Sequence, residues 1–261
     1  MPENAGEFTS AGRFRDRVVV VTGAAGGIGG AIVARAARED ATLVVSDRKR
    51  GGADVVADTL GVRNPQWSYV DADLAEEEGA VRLVEHALER FGRIDVLINN
   101  AGGGIIMDFL DHTRESRKET VDRNLWTVVN CCTAALPGMR ESGYGRIVNV
   151  GADSVRNGLF QHAMYNAAKG GVHALTTGLA REFAGDGITV NTVAPTGTTT
   201  PYVLSRPPDA VERFAKNEAL IPKGRFATTA EVASAVLYLA SEEASFITGQ
   251  VVSVNGGSTM L

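Results

Sequence analysis

Val18-Val19-Val20-Val21-Thr22-Gly23-Ala24-Ala25-Gly26-Gly27-Ile28-Gly29 decides the fold. A run of β-branched residues breaks into a glycine turn, and a helical pattern begins at Ile28. A strand, a glycine turn and a helix N-terminus together make an anion site, because the backbone can approach a pyrophosphate and the unpaired N–H groups of the first helical turn point at it. Read alone, the stretch is only a glycine-rich turn; its position in a first βα unit makes it a dinucleotide turn. Gly23, Gly27 and Ile28 are the expected contacts.

Outward from this turn, short apolar runs alternate with longer helical stretches. The expected strands are Val18–Val21, Thr42–Ser46, Trp67–Val70, Val96–Ile98, Arg146–Val150, Thr189–Val193 and Val251–Val254. They are continuously apolar, as strands buried on both faces of a parallel sheet are. Helical patterns occupy Ile28–Arg38, Glu76–Phe91, Arg114–Met139, Ala163–Phe183 and Ala230–Ala240. This alternation predicts an α/β fold, a doubly wound parallel seven-stranded sheet of Rossmann type in one domain. Residues 1–14 read as a flexible polar tail and 15–261 as the domain. The segment 196–222, with four prolines, reads as a mobile substrate loop.

The second strand runs into Asp47, about 20 positions past the glycines, where a carboxylate can accept hydrogen bonds from a ribose diol. Arg48, Lys49 and Arg50 follow and could instead hold a 2′-phosphate; the adjacent Asp47 charge favours NAD over NADP. In Tyr165-Asn166-Ala167-Ala168-Lys169 the i, i+4 spacing puts the tyrosine and lysine on one helix face. A free phenol ionises near pH 10. A cation held close lowers that value and makes the phenol a usable acid and base.

The net charge of −5 gives no reason to expect nucleic acid as a partner. No apolar run is long enough to span a bilayer, and no metal-ligand cluster stands out. Cys131 and Cys132 are the only cysteines and are adjacent, so free thiols in the cytoplasm are expected.

These motifs, in this order, resemble the short-chain dehydrogenase/reductase family from about Arg15 to the C-terminus. The resemblance implies that Tyr165 is the general acid/base. It implies that Lys169 binds the nicotinamide ribose and lowers the tyrosine, and that Asn124 holds a water in the proton relay. It assigns Asp73 and Leu74 to the adenine, and adds Asn100, Ala101 and Gly102 to the cofactor contacts. Pro195, Thr198 and Thr200 would lie over the nicotinamide, although the family usually has glycine where this chain has Thr196. A homotetramer is implied.

The family's carbonyl-polarising serine aligns with Ala152, which cannot donate a hydrogen bond. Losing one such donor typically costs about 10²–10³ in turnover. Three readings compete: a deliberate Ser→Ala change that leaves a low-activity form able to hold its substrate, a hydroxyl supplied instead by Ser154, or a natural protein that uses the fold for binding only, as a dinucleotide-binding sensor. Around the nicotinamide, Asp153, Phe160, Gln161, His162 and Tyr202 are expected to meet the substrate, beside Gly103, Gly104, Ile105, Ile106 and Arg156. Val203 and Leu204 complete the pocket. At subgroup level the chain is similar to dehydrogenases of alicyclic rings, those of 2-hydroxycyclohexanecarboxyl thioesters and dihydrodiol carboxylates. The rival within the family is a 3-oxoacyl-thioester reductase using NADPH.

Overall fold

The computed structural model describes residues 12–49, 51–61, 66–205 and 210–260. Seven strands form one parallel sheet: β1 (Val18–Thr22), β2 (Thr42–Asp47), β3 (Trp67–Asp71), β4 (Val96–Asn99), β5 (Gly145–Val150), β6 (Ile188–Pro195) and β9 (Val251–Val254), in the order β3-β2-β1-β4-β5-β6-β9. Two further strands, β7 (Thr198–Thr199) within the segment 196–222 and β8 (Ala227–Thr228) just beyond it, pair with each other.

The central strands β1, β4 and β5 are buried along their whole length, which is why their sequences are continuously apolar. Helices α1 (Gly27–Arg38) and α10 (Thr229–Leu239) seal one face over Val19, Val21, Ile32, Leu43 and Val236. Helices α3 (Glu77–Phe91), α5 (Thr127–Ser142) and α7 (Ala163–Phe183) seal the other over Val20, Leu83, Leu97, Met139 and Val172. The chain reverses its direction of winding between β1 and β4, so a cleft opens where their carboxyl ends diverge.

Three sequence expectations change. Residues Gly52–Leu60 form helix α2, with Val56 and Leu60 buried one turn apart; the paired glycines and basic run before it read as loop. The expected single helix Arg114–Met139 is α4 (Arg114–Val121), a π-helical turn at Asp122–Trp126, and then α5. Arg13 and Phe14, expected in the loose tail, are packed. Phe14 is 1% exposed, and Arg13 pairs with the fully buried Glu39 at 2.7 Å. Residues 1–11 of that tail lie outside the described residues, as does Arg50. The substrate loop holds the short helix α8 (Pro201–Ser205) and α9 (Val211–Ala219); residues 206–209 lie outside the described ones.

A buried polar ladder fixes α7 against the sheet. Asn99 Nδ2 donates to Asn149 Oδ1 at 2.9 Å, and Asn149 Nδ2 donates to Thr176 Oγ1 at 2.9 Å. Thr176 and Thr192 share a hydroxyl bond at 2.7 Å. Hydrogen bonds of this kind specify one register between helix and strands, since any slip would strand buried polar groups. The register places the N-terminal turns of α7 at the cleft.

Candidate active site

The glycine turn is locked from two sides. Asn100 Nδ2 donates to the carbonyls of Thr22 and Gly23 at 3.0 and 2.9 Å, while the Asn100 and Ala101 amides donate to Thr22 Oγ1. Gly23 has φ +64°, and a side chain on Gly29 would collide with the Gly23 carbonyl. Only glycine permits this close crossing of the turn under α1. The N-terminus of this twelve-residue helix therefore opens into a cleft of about 820 Å³.

Asp47 sits at one end of the cleft. Its carboxylate accepts from the Ala25 amide at 2.9 Å and from the Lys49 amide at 2.9 Å, so the acidic group is held over the turn by backbone. Asp73 and Leu74 line the same end, and Arg48 pairs with Asp73 at 3.6 Å. Gly102, Pro195, Thr198 and Thr200 line the cleft with Asn100 and Ala101; Thr198 Oγ1 is committed to the Thr196 carbonyl at 3.0 Å.

Tyr165 and Lys169 line the opposite end. Gly102 is the point where the chemistry crowds together: a Cβ there would lie 2.8 Å from Asn124 Oδ1 and 3.4 Å from Lys169 Nζ. Asn124 enters through the π turn and is fully buried. It donates to the Gly103 carbonyl at 3.0 Å and accepts from the Gly103 amide at 3.1 Å. The extra residue in such a turn shifts the helix face locally, a device frequent at functional sites. Lys169 Nζ donates to the Val150 carbonyl at 2.7 Å, which ties it to the end of β5.

Burial pushes the Tyr165 phenol up to about 12 and the Lys169 ammonium down to about 8. The lowering of the phenol by its neighbouring cation, expected from the sequence, is not what governs this arrangement: desolvation does, for both groups.

Ala152 lines the cleft just past the end of β5. Its amide donates to His173 Nε2 at 3.4 Å, and burial, with Arg156 and Lys169 adding to it, pulls that imidazole down to about 4. Ser154 does not offer its hydroxyl to the cleft. It donates to Asn166 Oδ1 at 2.6 Å.

Among the expected substrate contacts, Tyr202 lines the cleft. Asp153 does not serve there. It is fully buried, and its carboxylate accepts from Ser253, Asn255, Ser258 and Thr259 at 2.7–3.1 Å, anchoring the C-terminal segment. Arg156 is likewise structural, bonded to Ser253 and to the Val251 carbonyl. Phe160 is 77% exposed and Gln161 has φ +64°; neither is among the cleft-lining residues. His162 is not among the cleft-lining residues either; its ring meets that of cleft-lining Tyr165 edge to face at 6.0 Å. The sequence reading missed Arg123 and Thr127, which line the cleft from either side of Asn124; the i, i+4 relation across the π turn was the available signal.

A glycine turn under a helix N-terminus, an acid at the end of β2 and a tyrosine–lysine pair on one helix define a nicotinamide-linked oxidoreductase. The family model described as enoyl-(acyl carrier protein) reductase matches residues 23–259, and the chain belongs to the short-chain dehydrogenase/reductase family. It is 52% identical over 249 residues to 2,3-dihydroxy-2,3-dihydro-p-cumate dehydrogenase of Pseudomonas putida, covering 94% of this chain and 95% of that one. It is 38% identical over 263 residues to 1,6-dihydroxycyclohexa-2,4-diene-1-carboxylate dehydrogenase of Acinetobacter baylyi, covering 96% and 99%. A solved short-chain dehydrogenase/reductase from Burkholderia xenovorans superposes with a TM-score of 0.89 at 31% identity, covering 95% of this chain and 98% of that one. The chain is thus an oxidoreductase of this family.

Proposed function

We propose that the protein oxidises a vicinal diol on a partly unsaturated ring acid, with NAD as the hydride acceptor. The observation that carries this reading is the Asp47 carboxylate, held by the Ala25 amide at the rim of a cleft that runs to Tyr165. A carboxylate there accepts from a ribose diol and repels a 2′-phosphate. Arg48 is paired with Asp73 rather than left to a phosphate, which weighs against the NADPH-linked thioester reductase. The two relatives named above act, by their names, on dihydroxylated ring carboxylates, and this supports the substrate class.

The residues fit a nicotinamide dinucleotide: the α1 N-terminus faces the cleft for the pyrophosphate, Asp47 the adenosine ribose, and Lys169 the nicotinamide ribose. A nicotinamide held there would supply the acceptor for the hydride of the carbinol carbon. Tyr165 Oη takes the hydroxyl proton. The base in this step is the Tyr165 phenolate, a form that the Lys169 charge favours and burial opposes. Asn124 holds the Gly103 backbone so that Lys169 and Tyr165 keep one geometry. Ala152 leaves the reacting oxygen without the usual hydroxyl donor, so the chain turns over slowly for its family. Buried free Cys131 and Cys132 fit a cytoplasmic enzyme, and a homotetramer fits the family.

Initial rates with NAD and NADP on cis-dihydrodiols of benzoate and of p-cumate test the reading. NADH formation with NAD preferred is expected; preference for NADP, or reduction of 3-oxoacyl thioesters alone, would overturn it.

A further inference from the structure

Helix α9 carries, one residue before the Phe214 ring that packs on cleft-lining Tyr202, a cation that no acid among the described residues neutralises. Arg213 is half-buried, with its guanidinium 5.7 Å from the centre of the Phe214 ring, and among the described residues it has no ion pair and no hydrogen bond. Its neighbours are already paired, Glu212 with Lys216 at 2.7 Å. Phe214 in turn packs edge to face on cleft-lining Tyr202, 6.0 Å away, and on Phe226, 6.3 Å away. The Arg213 charge reaches His162, where it adds to burial in holding the imidazole below its ordinary value. His162 stands edge-on to the Tyr165 ring at 6.0 Å.

The His162 tautomer follows from one contact. Nδ1 lies 2.6 Å from the Phe160 carbonyl oxygen, which can only accept, so Nδ1 carries the proton. In the neutral ring Nε2 is then a pure acceptor. Among the described residues, the cations that line the cleft are committed or remote: Lys169 to the Val150 carbonyl, Arg123 to Glu119 at 3.0 Å, and Arg48, paired with Asp73, and Lys49 beside Asp47 at the adenosine end. An unpaired, partly desolvated guanidinium resting on an aromatic face is suited to a planar carboxylate.

We propose that Arg213 and His162 form the specificity end of the site, Arg213 binding the ring carboxylate of the substrate and His162 Nε2 accepting from the diol's second hydroxyl. This rests on the ring-acid reading above and adds the residues that would enforce it. The two roles separate cleanly, since the carboxylate and the second hydroxyl can be removed from the substrate one at a time.

The experiment measures KM and kcat of wild type, Arg213→Met, Arg213→Lys and His162→Leu on three alcohols. These are the cis-dihydrodiol of benzoate, the cis-dihydrodiol of benzene, and cyclohexenol. Loss of a charged hydrogen bond predicts a KM rise of about 10- to 100-fold for the benzoate diol in Arg213→Met, with kcat nearly unchanged. The benzene diol should be unaffected, and Arg213→Lys should recover part of the loss. His162→Leu should raise KM for both diols and spare cyclohexenol. Equal effects of Arg213→Met on both diols, or none, would overturn the assignment of Arg213; unchanged diol kinetics in His162→Leu would overturn that of His162. If wild type oxidises neither diol, the ring-acid reading itself falls. Calorimetry of benzoate on the NAD-loaded protein then decides Arg213 separately. Binding lost in Arg213→Met upholds the anion site; binding equal in both proteins, or absent from wild type, refutes it.

Discussion

Asn124 and Gly103 hold each other by two reciprocal hydrogen bonds, Nδ2 to carbonyl at 3.0 Å and amide to Oδ1 at 3.1 Å. A third bond runs from Nδ2 to the Thr120 carbonyl at 2.8 Å. The π turn is thereby pinned to the segment after β4, where Lys169 also lies close to Gly102. Asn124→Leu leaves the partly buried Gly103 amide and carbonyl without their partner, which costs about 1–3 kcal/mol in all. Urea unfolding should show a loss of that size, and turnover should fall further than stability alone explains. An unchanged midpoint would remove Asn124 from this role.

Asp47 faces both the Ala25 amide and the expected ribose. Asp47→Ala should lower kcat/KM for NAD by about 10- to 100-fold, the loss of a charge-assisted hydrogen bond. NADP should lose nothing or gain. Cofactor titrations of both proteins check this; an undiminished NAD preference would contradict it.

Ala152→Ser restores a hydroxyl donor at the cleft. Since removing such a donor costs about 10²–10³ in turnover, its restoration should raise kcat by at least about tenfold. Ser154→Ala should leave kcat nearly as it is, because that hydroxyl is bonded to Asn166. The reverse pattern in steady-state rates would show that Ser154 supplies the donor.

Lys169 ionises near 8 in the folded protein and near 10.5 when unfolded. Between those values the unfolded chain holds a proton that the folded one has released. Stability therefore rises with pH across this window, by at most about 3 kcal/mol. Tyr165, raised to about 12 from 10, acts in the opposite sense above pH 10, where the unfolded chain has lost its proton first. Unfolding measured from pH 7.5 to 10 should show the rise in wild type and not in Lys169→Met. The same slope in both would show that Lys169 is not desolvated.

The sheet was legible because its strands are buried on both faces; the seven expected runs match the observed strands to within a residue or two, and the observed strands extend at the ends that carry Asp47 and Pro195 to the cleft and Asn99 into the buried ladder. The turn at Gly23–Gly29 and the pairing of Tyr165 with Lys169 were legible because local spacing alone builds them. The π turn was not, since apolar positions continue through Leu125 and Trp126 with no break in pattern. Asp153 was misplaced for a different reason. Its partners Ser253, Asn255, Ser258 and Thr259 lie about a hundred positions away, and no local signal distinguishes a buried anchor from a pocket acid. Arg213 carries no motif either; its setting comes from the packing of Phe214 on Tyr202.

The most direct test of the account is NADH formation from the cis-dihydrodiol of benzoate by wild type and by Tyr165→Phe, with substrate and NAD saturating. Removing the proton carrier while keeping the ring should lower the rate by about 10²–10⁴ and leave NAD binding intact. A Tyr165→Phe protein that turns over within a few-fold of wild type would contradict the assignment of the proton to Tyr165.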